Sequence, residues 1–279
     1  TCMVAYLPQG SRDEAGLRAA AGKADAILGE LTRQLSLYPD RVQQAFTPDD
    51  VSAAKRAGRK AVFLGIENGY AIGRDLSLLK HFRDKGVVYM TLCHNGDNDI
   101  CDSAKGEGEH GGLSPFGRDV VREMNRLGMM VDLAHASEAS FYDALACSAA
   151  PIVTTHSSCR ALCDHPRNLT DDQIRALAAR GGVMQICLYE YFLVRGKEPT
   201  VDDIVAHIDH VVRLVGVDYV GIGSDFDGGG GIPGCNSADE LINITKALLK
   251  KGYTTEMLVK IWGGNFLRVM RQVQQSADD

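Results

Sequence analysis

Five apolar runs in this chain each stop at a residue that binds metal or carries charge. They are Val62-Phe63-Leu64-Gly65-Ile66 before Glu67, Val88-Tyr89-Met90-Thr91-Leu92-Cys93 before His94, and Met129-Met130-Val131-Asp132-Leu133-Ala134 before His135. The other two are Ile152-Val153-Thr154-Thr155 before His156 and Val220-Gly221-Ile222-Gly223-Ser224 before Asp225. A helix-like stretch follows each run. In a parallel α/β barrel every strand ends at the same face, and chemistry is placed there. The pattern predicts a TIM-type (β/α)8 barrel in which residues remote in sequence are aimed at one face.

The length of 279 residues and the 45% hydrophobic content suit a single domain over 1–279, since such barrels run to about 250 residues. Strands are expected at 3–7, 60–66, 87–93, 129–134, 151–155, 182–188 and 218–223, near-continuously apolar as in sheets buried on both faces. Residues 12–36 place Leu17, Ala20, Ala24, Ile27, Leu28 and Leu31 at helical spacing, and 201–215 reads as another helix. Thr47-Pro48 and Ser114-Pro115 set an N-cap before a first-turn proline. Thr170-x-x-Gln173, Thr200-x-x-Asp203 and Ser237-x-x-Glu240 resemble capping boxes. Two glycine-rich loops, 95–113 and 226–236, follow strands that end in candidate site residues, where lids and substrate contacts are expected. Seven strands are counted where the closed barrel needs eight. The missing one is expected before Thr1, so the chain is read as lacking its first strand.

The net charge of −6, with no basic stripe, argues against a nucleic-acid partner. No apolar run approaches the ~20 residues that span a bilayer. The start, Thr1-Cys2-Met3-Val4-Ala5-Tyr6, has no basic region and is not a signal peptide. The eight cysteines are read as reduced thiols of a cytoplasmic, soluble protein, and the Cys159/Cys163 spacing is a weak metal signal. There is no GxSxG elbow, P-loop or GxGxxG opening a helix.

Glu67, His135 and His156 form the metal hypothesis. Two imidazoles and a carboxylate are a frequent zinc set that leaves a position open for water. His94 suits either a further ligand or a group that stabilises a developing oxyanion. Asp225 and Asp227 fall on the same side of an extended segment; Asp225, nearer the strand end, is expected to face the site, as a ligand, an ammonium partner or a proton shuttle. Arg167, in the turn His165-Pro166-Arg167-Asn168, suits bidentate carboxylate recognition. His81 and the His207-Ile208-Asp209-His210 segment fall on helices and read as structural, and His110 sits in a loop taken to be mobile.

These residues lie in stretches that resemble the membrane dipeptidase (renal dipeptidase) family of zinc metallopeptidases, which has the metal-dependent hydrolase barrel. The matching stretches are Gly65-Ile66-Glu67-Asn68-Gly69, Leu92-Cys93-His94-Asn95, Leu113-Ser114-Pro115-Phe116-Gly117 and Val131-Asp132-Leu133-Ala134-His135-Ala136-Ser137. They continue with Thr155-His156-Ser157-Ser158, Arg167-Asn168, Gly223-Ser224-Asp225-Phe226-Asp227-Gly228 and Gly264-Asn265-Phe266-Leu267-Arg268.

The resemblance implies that Glu67 bridges two zinc ions, that His135 and His156 complete one of them, and that His94 meets the substrate carbonyl. It implies that Arg167 holds the substrate and its intermediate, and that Asp225 meets the substrate amino group and assists proton transfer. It implies hydrolysis of dipeptides, including those with a D-residue at the C-terminal position, by a metal-activated hydroxide, and often a homodimer. The family's other zinc is held by a His-x-Asp at the first strand, which this sequence lacks; one of the two sites is therefore expected to be incomplete and this chain weakly active or inactive. Two other readings stand beside it: a non-catalytic metal-binding barrel, and an amidohydrolase acting on lactams or N-acyl amino acids.

Overall fold

A computed structural model describes residues 1–277, which fall in two compact units, Thr1–Pro151 with the described residues from Met270 onward, and Ile152–Val269. In both, strands alternate with helices and every registered strand pair is parallel. This is the α/β class expected from the alternation of apolar runs and amphipathic stretches.

The first unit carries β1 (Cys2–Tyr6), β2 (Val42–Gln44), β3 (Lys60–Glu67), β4 (Val87–Thr91) and β5 (Met130–Asp132). β3 pairs with β1, β2 and β4, and β4 with β5. All five residues of β4 are buried, which is why its sequence shows no polar alternation. The registers pair Tyr6 with Glu67, Glu67 with Thr91, and Thr91 with Asp132. A row of polar side chains thus crosses four strands at their C-terminal ends. β2 was not anticipated: Val42-Gln43-Gln44 is short and polar, and nothing but its pairing with Lys60–Val62 makes it a strand.

The helix Glu14–Ser36 buries Ala20, Ala24, Leu28 and Leu35, and Asp13 caps it by accepting the Gly16 N–H. Thr47 and Ser114 cap their helices as expected, accepting from Asp50 and Gly117. The C-terminal residues Arg271 and Gln274 bond back to Asp49 and to the Phe46 carbonyl.

The second unit holds β6 (Val153–Ser157), β7 (Val183–Cys187) and β8 (Val220–Gly223), paired in that order. His156 lies inside β6 rather than after it. Thr170 with Gln173, and Thr200 with Asp203, form capping boxes. Ser237 caps nothing: Glu240 accepts the Asn236 N–H at 2.7 Å instead, and the helix begins at Ile242. Asn265 donates to the carbonyls of Val217 and Val220, and Arg268 to those of Gly181 and Asp218. These bonds give the Gly264–Arg268 stretch a structural role at the entries to β7 and β8.

The His207-Ile208-Asp209-His210 segment is structural, as expected. His207 is buried in the helix Val201–Val215; its Nδ1 accepts the Cys159 N–H at 3.0 Å and its Nε2 donates to the Leu193 carbonyl at 2.9 Å. Asp209 is held by Lys251 and Tyr253, and His210 by Asp171. All eight cysteines are free. Among the described residues no helix is long and apolar enough to cross a membrane.

Burial, the largest effect, lowers the His207 pKa below its ordinary 6.5, because a charged ring there would lose its water and its acceptor role at Nδ1. A depressed histidine adds stability that is present above its unfolded pKa and is lost as pH falls through its folded one. The unfolding midpoint should therefore begin to fall as pH drops below about 6.5, and His207→Gln should flatten that part of the curve. A pH series of thermal melts on both proteins reads this.

Candidate active site

Glu67, His94 and His135 come together in the first unit, although 27 residues separate the first two and 41 the second two. Glu67 ends β3 and is half-buried. Its Oε1 lies 3.4 Å from His135 Nε2 and 3.7 Å from His94 Nε2. The two imidazoles are 4.1 Å apart, centre to centre, and the Tyr6 ring meets His94 edge-on at 4.8 Å. Burial, and then the charge of Glu67, raise the Tyr6 phenol's pKa.

The tautomer of His135 is set by its neighbour. Its Nδ1 lies 3.1 Å from Asn95 Oδ1, and an amide oxygen only accepts, so the proton is on Nδ1. The Nε2 lone pair is then turned toward a carboxylate oxygen. Two electron-rich atoms facing at this distance call for a proton or a cation between them, and a histidine locked through its other nitrogen is the usual form of a metal ligand. The donor set fits a divalent metal.

The backbone here is held in an uncommon conformation. Among the described residues three non-glycines have positive φ: Asn68 at 89°, His135 at 72° and Asp225 at 57°. Such positions cluster at functional sites when their surroundings enforce them. Around His135 the enforcement comes from loop 95–113. Ala104 N–H donates to the His135 carbonyl at 2.7 Å, while the Ser103 hydroxyl donates to the His94 carbonyl and lies 3.3 Å from that of His135. Asn68 donates to the Leu7 carbonyl and accepts from Asn98, which also donates to the Leu92 carbonyl.

The loop itself is tied down, contrary to the expectation of mobility. Burial would push Asp97 up, but backbone N–H groups of Ser103, Glu109, Gly108 and Glu107 donate to it and hold it below its ordinary carboxylate range. His110 donates its backbone N–H to Asp102, and its ring meets the Asn98 carbonyl at 2.7 Å.

The second unit carries the remaining candidates. His156 is buried, with Nδ1 2.9 Å from Thr155 Oγ1. Arg167 is also buried; its Nη2 donates to the His156 carbonyl at 3.3 Å and its guanidinium lies over the Phe192 ring, 5.4 Å from the centroid. Asp225 is half-buried. Burial raises its carboxyl above the usual range, against the charge of Arg167 and a thiol contact from Cys187 at 3.8 Å that lower it.

Asp225 does not face inward by strand alternation. The chain turns at once into a short 3-10 segment, Phe226–Gly228, so the parity of an extended strand does not apply and Asp227 is left exposed. The glycines after it allow the turn: a Cβ at Gly228 would sit 2.2 Å from Asp225 Oδ1, and one at Gly230 would sit 2.0 Å from the Ser224 carbonyl oxygen. Reading by residue type missed Asn95, Asn68, Asn98 and Ser103. Asn95 and Asn68 do stand in the matching stretches, next to His94 and Glu67.

A family model described as "Membrane dipeptidase (Peptidase family M19)" matches residues 1–279. Dipeptidase tcpJ of Claviceps purpurea is 41% identical over 250 residues, 88% of this chain and 59% of that protein. The chain spans 55% to 66% of the lengths of four curated dipeptidases that it matches. Among solved structures, the probable dipeptidase PvdM from Pseudomonas aeruginosa is 29% identical with a TM-score of 0.89, over 94% of this chain and 81% of that one. A metallo peptidase from Rhodobacter sphaeroides, liganded with a phosphinate mimic of the dipeptide L-Ala-D-Ala, is 26% identical with a TM-score of 0.89, over 98% and 86%. The fold class is therefore the one read from the strand ends, that of a TIM-type α/β barrel.

The placement of Ser103 carries an expectation. Ser103→Ala removes the hydroxyl from the His94 carbonyl, while the His135 carbonyl keeps the Ala104 N–H, and should cost about 1 kcal/mol, read as a lower urea midpoint at unchanged slope. Ser103→Thr should recover most of it.

Proposed function

Because the chain belongs to the membrane dipeptidase family, we propose that it hydrolyses dipeptides at a zinc centre held by Glu67, His135 and His156. The observation that carries this reading is the approach of His135 Nε2 to Glu67 Oε1 at 3.4 Å, with Nδ1 of the same ring committed to Asn95. One carboxylate and two imidazoles suit zinc and leave a coordination position open. When bound, such a metal supplies Lewis acidity and makes water a nucleophile near neutral pH.

The chain's own groups divide the remaining work. The substrate is a zwitterion, and the second unit offers both countercharges: Arg167 takes the terminal carboxylate through two parallel N–H donors, and Asp225 takes the ammonium. This pairing favours a free dipeptide over an N-acyl amino acid or a lactam, which lack the ammonium. As the scissile carbonyl oxygen gains negative charge, the His94 imidazole donates to it. Burial raises the Asp225 carboxyl, which suits the ionised group to take a proton from the attacking water and pass it to the departing amine, ending ionised as it began. The phosphinate mimic bound by the Rhodobacter sphaeroides relative has a D-residue at its C-terminal position, which supports acceptance of L,D-dipeptides here.

One family model spans 1–279, and we read both units as parts of one catalytic domain. Eight free thiols suit a reducing compartment such as the cytoplasm. A second zinc of the family type needs a His-x-Asp. The only such spacing in these 279 residues, His207-x-Asp209, has both side chains committed to the helix packing described above.

The reading is tested by metal analysis and a substrate panel. The protein should bind about one zinc per chain at this donor set, and His135→Ala should abolish it; unchanged stoichiometry in the variant would reject the ligand assignment. In a panel of L,L- and L,D-dipeptides against N-acyl amino acids and lactams, turnover should be confined to the dipeptides. Metal binding with no turnover of any substrate would favour a non-catalytic barrel.

Asp225→Asn should lower kcat/KM by about 100-fold, in the range for loss of a general acid–base. The loss should shrink for an aminoacyl ester analogue whose leaving group departs as a stable anion, such as a nitrophenolate. An equal loss for all substrates would leave Asp225 only a binding role.

A further inference from the structure

Arg167 is buried at a turn with no regular secondary structure, yet recognition of a carboxylate needs its planar fork fixed in direction. Beside the bond from its Nη2 to the His156 carbonyl, several contacts around it meet on one side chain, Phe192. The guanidinium lies over the Phe192 ring at 5.4 Å, within the range of cation–π attraction. His165, two residues before Arg167, packs on the same ring at 4.6 Å and accepts the Arg167 backbone N–H through Nδ1 at 3.1 Å. Tyr189 closes the ring's edge at 5.0 Å. Phe192 is itself buried.

The short helical turn that carries Phe192, Glu190–Leu193, is fastened at three successive carbonyls. Cys163 donates to Tyr191, Asn168 to Phe192 at 2.9 Å, and His207 to Leu193 at 2.9 Å. Carbonyls at a helix end need such partners. Here two of the three donors, Cys163 and Asn168, flank the His165-Pro166-Arg167 turn. The turn and the helix thus hold one another, with the Arg167 guanidinium over the Phe192 ring.

We propose that Phe192 is a positioning residue for substrate recognition: its ring face orients Arg167 toward the substrate carboxylate. This rests on the reading of Arg167 as the carboxylate clamp. An aliphatic residue without a π face would keep the bonds to the carbonyls of this turn and leave the guanidinium less firmly aimed, held through its bond to the His156 carbonyl.

The test compares binding of two probes to the zinc-loaded protein by calorimetry: a phosphinate mimic of L-Ala-D-Ala and its C-terminal amide. The native chain should prefer the acid, and Arg167→Lys should erase that preference. Phe192→Leu and Phe192→Met should each weaken the acid by about tenfold and the amide by less than about twofold. Phe192→Tyr, which keeps the ring, should stay within about twofold of native. Equal weakening of both probes in the folded Leu and Met variants, or no weakening, would overturn the proposal. Equal affinity of the native chain for acid and amide would instead reject Arg167 as the clamp, and Phe192's role with it. Binding of neither probe by the native chain would reject the dipeptidase reading itself.

Discussion

A lone pair and a carboxylate held face to face, His135 Nε2 and Glu67 Oε1 at 3.4 Å, is the contact around which the first unit is organised. Left to itself it would separate, since like-charged atoms repel and both seek water. It persists because each side is fixed from behind. Glu67 ends a strand registered against Tyr6 and Thr91, and Asn95 holds the far nitrogen of His135. Loop 95–113 grips the carbonyls of both His94 and His135. What looks like a glycine-rich connection is the scaffold of the site.

The two units solve the same problem differently. In the first, side-chain amides and a hydroxyl bind backbone carbonyls in and beside the strand ends that carry His94 and His135. In the second, orientation comes from ring packing and from glycines that let the chain fold closely over Asp225. Neither device adds much stability by itself; a neutral hydrogen bond contributes about 1 kcal/mol net. Their value is geometric, because misplacement of a reacting group by a fraction of an ångström is costly in rate.

Strand ends were legible from sequence because burial on both faces makes each strand a continuous apolar run, and the first polar residue after it marks the edge. Glu67, His94, His135 and Asp225 were singled out as candidates in this way. The same logic failed for β2, whose Val-Gln-Gln has no apolar signature, and for Asp227, because strand parity ends where the backbone leaves the extended region. Ser237 shows the limit of a spacing rule: the right residues at the right separation did not start a helix, since Glu240 had a nearer backbone partner. Asn95, Asn98 and Ser103 were invisible for another reason. Their work is to bind carbonyls of residues distant in the chain, and no local pattern announces such a bond. His207-x-Asp209 is the reverse case, a metal-like spacing whose imidazole is used as a backbone tie.

The three non-glycine residues with left-handed backbones, Asn68, His135 and Asp225, bear on how this chain can change over generations. At His135 and Asp225 glycine would relieve the backbone, whereas the buried Asn68 side chain bonds the Leu7 carbonyl and Asn98 and so offsets its own strain. On the proposed reading of the site, a lineage freed from that chemistry should lose His135 and Asp225 early, while the buried strands, under no such tension, drift slowly. On that reading, His135 and Asp225 mark where an effort to harden the protein and an effort to keep its proposed chemistry would pull in opposite directions.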